Sequence, residues 1–366
     1  MLARGGQPAV GGALPLHRIL LALFWCLSAL PAATAYTNCS AFSTNGTAAS
    51  QFSYYRFYDF RNIPSDTWDS VQNATSPNNE TAGASTSDMS WSLDWQRRDG
   101  LRYAENDPNN PLLPIDYQLS KVAMTNVTDD SDATTALSFL SSRENEASQQ
   151  SSGIDFNEDS ILYLSLRLKA RVTGDPGACA AFFTYENDTQ EADMELLTRD
   201  DQDIVGFNTQ PSIDVHGNYI NATHFNMSLP NDLTREKWIT YRMDWVSDQV
   251  VWYVDGVQMA NTYTNVPVEP SHLYLTMWGN GGTWTRMMTL GDSALLEIQW
   301  IEVTYNLSDA TPIANASGTV CNLDDTDTAG SFQPFIFPAP HDDTSSGYKL
   351  GINAFLTISA IILALI

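Results

Sequence analysis

Three carboxylates stand at two-residue intervals in one short stretch of the chain, at Glu191, Asp193 and Glu195. The surrounding residues, 179–197, predict two β-strands joined by a short polar turn. Because side chains alternate across a strand, the three acids share one face, and the apolar residues between them share the other. The pattern therefore predicts a strand with one buried face and one acidic face.

No Lys or Arg separates these acids, so each negative charge raises the proton affinity of its neighbours. Cleavage of a glycosidic bond needs such a set, with one ionised carboxylate as nucleophile and a second that keeps its proton for the leaving oxygen. On a flat strand the Cα atoms of Glu191 and Glu195 would lie roughly 13 Å apart, whereas the carboxyl groups of retaining enzymes lie about 5–5.5 Å apart. This chemistry therefore requires an inward-bent strand in a concave sheet.

Strand signals dominate the rest of the chain. Residues 161–172 alternate between apolar and polar, with leucines at 162, 164, 166 and 168 predicted on one face. Residues 237–254, followed by Asp255-Gly256, predict a meander with a hairpin turn, and 272–278 and 295–305 predict further strands. Short strands separated by Gly, Asn and Asp turns indicate an all-β sandwich.

The segment Glu191-Ala-Asp-Met-Glu195 resembles the Glu-x-Asp-x-Glu signature of glycoside hydrolase family 16. Three later stretches are similar to the family's aromatic strands and Trp/Gly loop, in the family's order: 241–256, 277–284 and 295–305. The resemblance covers roughly residues 50–310. One departure is the absence of the His that often precedes Tyr241.

The resemblance implies a concanavalin A-like β-jelly-roll sandwich with a concave substrate groove. It also implies retaining chemistry on β-glucan, with Glu191 as nucleophile, Glu195 as acid/base and Asp193 as the assisting carboxylate. Whether the acceptor is water or a sugar hydroxyl, and hence whether the enzyme is an endo-β-1,3- or β-1,3/1,4-glucanase or a transglycosylase, stays open.

Aromatic and amide side chains near this stretch are candidates for binding sugar, because sugars present flat apolar faces edged with hydroxyls. Trp278 and Trp284 flank a glycine-rich loop, and Tyr185 ends the strand before the acidic one. The resemblance adds Asn208 as a sugar-binding residue, with a loop-capping role as the alternative. Four other tryptophans are predicted in the core: Trp238, Trp245, Trp252 and Trp300.

The cysteines predict an oxidising compartment. Cys39 and Cys321 lie near the two ends of the predicted domain and are expected to form a disulfide, whereas Cys179, amid Ala and Phe, is expected to be a buried free thiol. No His shows ligand spacing with Cys or carboxylates, so neither a catalytic metal nor a cofactor is expected.

Both chain ends resemble targeting signals. Residues 1–35 combine Arg4 and Arg18, an apolar run and a small-residue exit, which predicts a cleaved signal peptide rather than a membrane span. Residues 346–366 predict a glycosylphosphatidylinositol (GPI) attachment propeptide with Ser345 as the attachment residue, a retained transmembrane tail being the alternative. Between them we predict a catalytic domain over 36–323 and a Ser/Pro-containing stalk over 324–345.

Ten N-glycosylation sequons favour a secreted glycoprotein. They stand at Asn38, Asn45, Asn73, Asn79, Asn126, Asn187, Asn221, Asn226, Asn306 and Asn315. With the targeting signals they predict a secreted protein anchored at a cell surface or wall, and with the glucanase resemblance they suggest a fungal cell-wall enzyme.

The chain has 43 acidic and 18 basic residues and a formal net charge of −25. Nucleic acids and anionic membrane surfaces need basic patches, so the expected partner is a neutral polysaccharide, with membrane contact only through a lipid anchor. We expect a monomer. Two rival functions use the same features: a lectin-like carbohydrate-binding protein needs a cleft but no acid pair, and a structural wall mannoprotein needs neither.

Overall fold

The structure is a computed structural model that describes residues 38–67, 94–103, 112–308, 319–326, 329–330 and 333–334. Most of these residues lie in β-strands. The first strands are β1 (Asn38–Ser43), β2 (Gln51–Phe52), β3 (Tyr54–Asp59), β4 (Trp95–Arg97), β5 (Gly100–Arg102), β6 (Ile115–Tyr117), β7 (Val122–Asn126), β8 (Thr135–Ser142), β9 (Gln149–Phe156) and β10 (Ile161–Gly174). They continue with β11 (Cys179–Asn187), β12 (Gln190–Leu197), β13 (Ile204–Thr209), β14 (His224–Ser228), β15 (Ile239–Trp245), β16 (Val250–Val254), β17 (Val257–Thr262), β18 (His272–Trp278), β19 (Ser293–Leu307), β20 (Thr319–Asn322) and β21 (Gln333–Pro334). Short 3₁₀ turns lie at Ser65–Thr67, Leu119–Lys121, Pro230–Asp232 and Leu323–Asp325.

The pairing of these strands defines two layers. The front layer is antiparallel, in the order β14-β13-β12-β11-β18-β9-β4. The back layer runs β17-β16-β15-β10-β19-β8-β7, with β3 also paired to β19. The two layers form the curved sandwich of a jelly roll, so the predicted fold class is confirmed.

The core lies between the layers because one face of each strand is apolar. Phe182, Met194 and Leu275 lie side by side across the front layer, and Leu166 pairs with Met243 in the back layer. All five are fully buried. Burial of each such side chain contributes about 1.5–3 kcal/mol, so the alternating pattern that sets this face also sets the orientation of the opposite one.

One detail of the leucine pattern is wrong. Leu164, Leu166 and Leu168 face the core, but Leu162 is only partly buried, and Ile161 is fully buried in its place. Tyr163 has a φ of 76°, and the pairing of β10 with β19 shifts register between Ile161 and Leu164. This irregularity inverts the alternation over the first residues of the strand.

The predicted disulfide is present and ties the two ends of the described chain together. Cys39 and Cys321 are 282 residues apart in sequence, and β1 pairs in parallel with β20 around them. A bridge that closes so long a loop stabilises a fold by about 2–5 kcal/mol.

Residues at the start of the predicted stalk contact the sandwich. Asp324 lies 3.0 Å from a guanidinium nitrogen of Arg167 and 2.9 Å from one of Arg242, and β21 pairs with β1. The described part of the predicted stalk is therefore attached to the sandwich, because its carboxylate neutralises two partly buried arginines.

Several predictions fall outside the described residues: the signal peptide 1–35, the sequons Asn73, Asn79 and Asn315, the GPI site Ser345 and the propeptide 346–366. Four of the described sequon asparagines are exposed: Asn45, Asn126, Asn221 and Asn226. Among the residues with a described position, no helix has the length and apolar character needed to cross a bilayer.

Candidate active site

The acidic strand β12 lies in the middle of the front layer, between β11 and β13. Its apolar residues Ala192 and Met194 are fully buried in the core, and the three acids point to the opposite face, as predicted. Glu191, Asp193 and Glu195 are 5%, 5% and 8% exposed. All three residues are therefore almost completely buried on the face of the front layer that lies opposite the core.

Glu195 accepts hydrogen bonds from three different elements. The indole Nε1 of Trp284 donates to its Oε1 at 3.1 Å, and the thiol of Cys179 donates to the same oxygen at 3.4 Å. The amide Nδ2 of Asn208, on the neighbouring strand, donates to Oε2 at 3.0 Å. Three donors hold this carboxyl group in one orientation.

A second row of polar groups supports Asn208. The imidazole Nδ1 of His224 lies 2.6 Å from the Asn208 Oδ1, and the ring of Tyr219 stacks on His224 with centroids 4.1 Å apart. Since Asn208 donates its amide to Glu195, its carbonyl oxygen accepts from His224, which places a proton on Nδ1. Asn208 and His224 therefore form a directed chain that ends on Glu195.

Asp193 and Glu191 are neighbours in a hydrogen-bonded pair. Their side chains are hydrogen-bonded, with Asp193 as the donor, and the amide Nε2 of Gln210 donates to the other side of Asp193 at 3.3 Å. Burial, followed by the charges of Glu191 and Glu195, raises the pKa of Asp193 well above its usual range. Asp193 therefore holds a proton, and the hydrogen bond that it donates lowers the proton affinity of Glu191.

The pKa values of the two outer acids are raised as well. Burial is the largest cause for Glu191, whose pKa rises to about 8; the hydrogen bond from Asp193 opposes this rise and the charge of Glu195 adds to it. Burial also raises the pKa of Glu195, against the hydrogen bonds from Trp284 and Cys179 and the charge of Arg199. All three acids therefore hold their protons more tightly than free carboxyl groups do. Loss of the proton from Glu191 gives the pair of one ionised and one protonated carboxyl group that acid-assisted displacement at a sugar carbon uses.

A small apolar cluster beside Glu195 accounts for part of its desolvation. The cluster is separate from the main core, and Phe183 and Trp284 pack partly buried against it. Its members are Ile115, Tyr117, Cys179, Ala181, Leu197 and Trp278. Since this cluster excludes water from one end of the acidic row, it favours the uncharged form of Glu195.

The family model for glycosyl hydrolases family 16 matches residues 117–302 of the chain, a span that includes the acidic strand and most strands of both layers. The chain belongs to family 16 of the glycosyl hydrolases. Members of this family are enzymes that hydrolyse O-glycosyl compounds.

The individual relatives have low sequence identity to this chain. A beta-glucanase of Paenibacillus polymyxa is 24% identical over 219 residues, which cover 58% of this chain and 83% of that protein. Congo red hypersensitive protein 1 of Saccharomyces cerevisiae is 24% identical over 155 residues, covering 41% of this chain and 28% of that protein. The solved structure of a Bacillus licheniformis beta-glucanase aligns with 19% identity and a TM-score of 0.47, covering 68% of this chain and 97% of its own.

The four predicted sugar contacts of this family 16 hydrolase all lie near the acids, but three are less accessible than expected. Trp278 and Tyr185 are each 7% exposed, and the Tyr185 hydroxyl donates to Asp188 at 2.9 Å. Asn208 is 2% exposed, lies inside β13 rather than capping a loop, and is directed at Glu195. Trp284 is half-buried, and its indole nitrogen donates a hydrogen bond to Glu195.

Sequence reasoning missed three contributors to the site of this hydrolase. Asn208 lies in β13 and Gln210 directly follows that strand, and the two side chains reach Glu195 and Asp193, a two-residue spacing that the sequence already contained. Cys179 was expected only as a buried thiol, and His224 offered no signal because it lacks ligand spacing. Their roles depend on register between strands, which places Cys179 and Glu195 on the same face of adjacent strands.

Within the described residues, no group of three or more His, Cys, Asp or Glu side chains is arranged to hold a metal ion.

Of the four tryptophans predicted in the core, Trp245 and Trp252 are fully buried there. Trp300 is buried in the small cluster around the disulfide, and Trp238 is only half-buried, under the Arg171 guanidinium at 4.4 Å.

Asp193→Asn is predicted to stabilise this hydrolase at neutral pH. Because the pKa of Asp193 is raised by burial, the folded protein binds a proton that the unfolded chain loses above about pH 4, so stability falls as pH rises. Asn can donate the same hydrogen bond to Glu191 without this cost. We expect a melting temperature about 2–4 °C above the parent at pH 7, a shift typical of 1 kcal/mol in a domain of this size.

At pH 3.5 the same variant should melt within a degree or so of the parent, because Asp193 is then largely protonated in the folded and the unfolded chain alike. Asp201→Asn, a matched substitution at an exposed position, provides the control. A variant that is equally or less stable than the parent at pH 7 would show that Asp193 is ionised in the folded protein.

Proposed function

We propose that this protein is a retaining β-glucan hydrolase, with Glu191 as nucleophile and Glu195 as acid/base. The observation that carries the proposal is the unequal environment of three acids on one face. Asp193 donates a hydrogen bond to Glu191, which favours an ionised Glu191, and Glu195 lies against an apolar cluster that favours its protonated form.

In the first step, a carboxylate oxygen of Glu191 forms a bond to the anomeric carbon while the bond to the leaving oxygen breaks. Glu195 gives its proton to that oxygen. In the second step, Glu195, now ionised, removes a proton from the acceptor hydroxyl, which displaces Glu191 from the sugar and restores the starting protonation. Asp193 keeps its proton throughout and weakens its hydrogen bond to Glu191 while the ester exists.

A neutral β-glucan is the substrate class that the available observations favour. Several relatives are named beta-glucanases, and the chain carries a net charge of −25, which disfavours polyanionic ligands. Half-buried Phe183 and Trp284 and the exposed ring of Tyr219, 58% accessible, provide flat surfaces beside the acids. Water as acceptor gives hydrolysis, and a second sugar hydroxyl gives transglycosylation.

Product analysis on a panel of glucans tests the proposal. The purified protein is incubated with β-1,3-, β-1,4- and mixed-linkage glucans, and the first products are followed by proton NMR. We expect release of the β-anomer before mutarotation, and longer oligosaccharides if sugars act as acceptors. An α-anomer as first product would contradict the nucleophilic role of Glu191, and binding without turnover would favour the lectin alternative.

We further propose that the enzyme acts outside the cell, as a GPI-anchored monomer at a fungal cell wall. The disulfide and the four exposed sequons support an oxidising, glycosylating compartment. The anchor rests on the sequence pattern of residues 346–366. Phosphatidylinositol-specific phospholipase should release the protein from intact cells, and a protein that stays bound would argue against the anchor.

A further inference from the structure

The thiol of Cys179 is the one free cysteine in the described part of the chain, and it is fully buried. It lies on β11, two positions from Ala181, which is paired directly with Glu195 of β12. Its Sγ is 3.4 Å from Oε1 of Glu195, within hydrogen-bonding distance for sulfur. No step of the proposed reaction uses this contact.

The donors on Glu195 are divided unequally between its two oxygens. Oε1 accepts from both the Trp284 indole and the Cys179 thiol, whereas Oε2 accepts from the Asn208 amide alone. A carboxyl oxygen has two acceptor positions in the plane of the group. Oε1 therefore has both positions filled, and Oε2 has one position free.

We propose that Cys179 is a positioning residue whose thiol, together with the Trp284 indole, fills Oε1 of Glu195 and so keeps the transferable proton on Oε2. This inference rests on the proposed role of Glu195 as acid/base. Without the thiol, Oε1 has a vacant position and can carry the proton itself. Part of the enzyme then holds its proton on the oxygen that faces Trp284 and the apolar cluster.

The thiol also stabilises the ionised form of Glu195, because a donor interacts more strongly with a carboxylate than with a carboxyl group. Other groups act on the same carboxyl group: Glu191 and Asp193 from its own strand, and Arg199 and Asp200 from the turn that follows. His224 acts only through Asn208. Substitution of Cys179 leaves all of these in place, so its effect can be measured separately.

Cys179→Ala tests the inference through the pH profile of kcat/KM, whose basic limb reports deprotonation of the free enzyme's acid. Removal of a donor to the ionised form should move that limb upward by about half a pH unit. Because the proton can then occupy either oxygen of Glu195, the plateau value of kcat/KM should fall about twofold. Cys179→Ser, which keeps a donor, should return the limb toward that of the parent.

Ile301→Val is the control, because it removes one methylene from the main core and leaves the apolar cluster beside Glu195 unchanged. This control should lower the melting temperature and leave the basic limb of the kcat/KM profile unchanged. Cys179→Val, which fills the space of the thiol without a donor, should shift the limb as Cys179→Ala does. Identical limbs in the parent and in the Ala, Val and Ser variants would overturn the inference.

A second readout does not depend on activity. The infrared S–H stretching band of the Cys179 thiol, the free thiol of the described residues, should lie at the frequency of a hydrogen-bonded thiol and move to higher frequency in Glu195→Ala. A band that stays in place would refute the contact even if glucan is hydrolysed. A shifted band in a protein without glucanase activity would leave the contact standing and refute only the proposed function.

Discussion

Glu191→Gln is expected to lower kcat/KM on β-glucan by roughly 10⁴-fold or more, the scale on which loss of a covalent nucleophile acts. Gln has nearly the shape of Glu and can still accept the hydrogen bond from Asp193, so the fold should be retained. It cannot form a glycosyl ester. Initial rates of reducing-sugar release, with melting temperature measured on the same preparations, provide the test.

Glu186→Gln is the matched control, since the same substitution then falls on an exposed residue of the adjacent strand. We expect its activity to stay within twofold of the parent's. If Glu191→Gln kept more than a few per cent of the parent rate, the nucleophile would have to be another group. Lost activity together with a lower melting temperature would point to a structural effect.

Glu195→Gln is expected to have an effect that depends on the leaving group. On β-glucan, whose leaving sugar must be protonated, kcat/KM should fall about 10²–10⁴-fold, the usual contribution of general acid catalysis. On an aryl glycoside with an acidic phenol the first step needs no proton, so the glycosyl-enzyme should form and accumulate. A rapid burst of phenol followed by a slow steady rate is the expected signal.

Azide completes this test, because it can attack the glycosyl-enzyme without a general base. Added azide should raise the steady rate of Glu195→Gln and yield a β-glycosyl azide, while the parent should respond little. Trp284 and Asn208 donate to different oxygens of Glu195, and Gln replaces one of these oxygens by an amide NH₂, so one donor loses its acceptor. The kinetic pattern therefore matters more than the absolute loss. Equal losses on glucan and aryl glycoside, without azide rescue, would contradict the acid/base role.

Strand-level features of this protein could be predicted from short-range patterns. The alternation of residues 191–197 placed the acids on one face and Ala192 and Met194 on the other, as the structure shows. Such predictions succeed because burial of one apolar face fixes the orientation of the whole strand. The alternation failed at Leu162, where a left-handed backbone at Tyr163 shifts the pairing.

Contacts between strands could not be predicted in the same way. Asn208, Cys179 and Trp284 come from three different elements, and each directs a donor at Glu195. Sequence reasoning placed Asn208 and Trp284 near a sugar, but it did not reveal that both donate hydrogen bonds to Glu195. Register and loop path bring these groups within hydrogen-bonding distance, and neither is encoded in the spacing of the acids.

The amino-acid sequence by itself determined the acidic face and the all-β sandwich, because each follows from local alternation. It also indicated the pairing of Cys39 with Cys321, because these cysteines lie near the two ends of the predicted domain. Only the tertiary structure decided the protonation of the site. Proton affinity depends on how much water surrounds each carboxyl group and on which donors reach it, and these are set by the packing of β11, β13 and the Trp284 loop around β12.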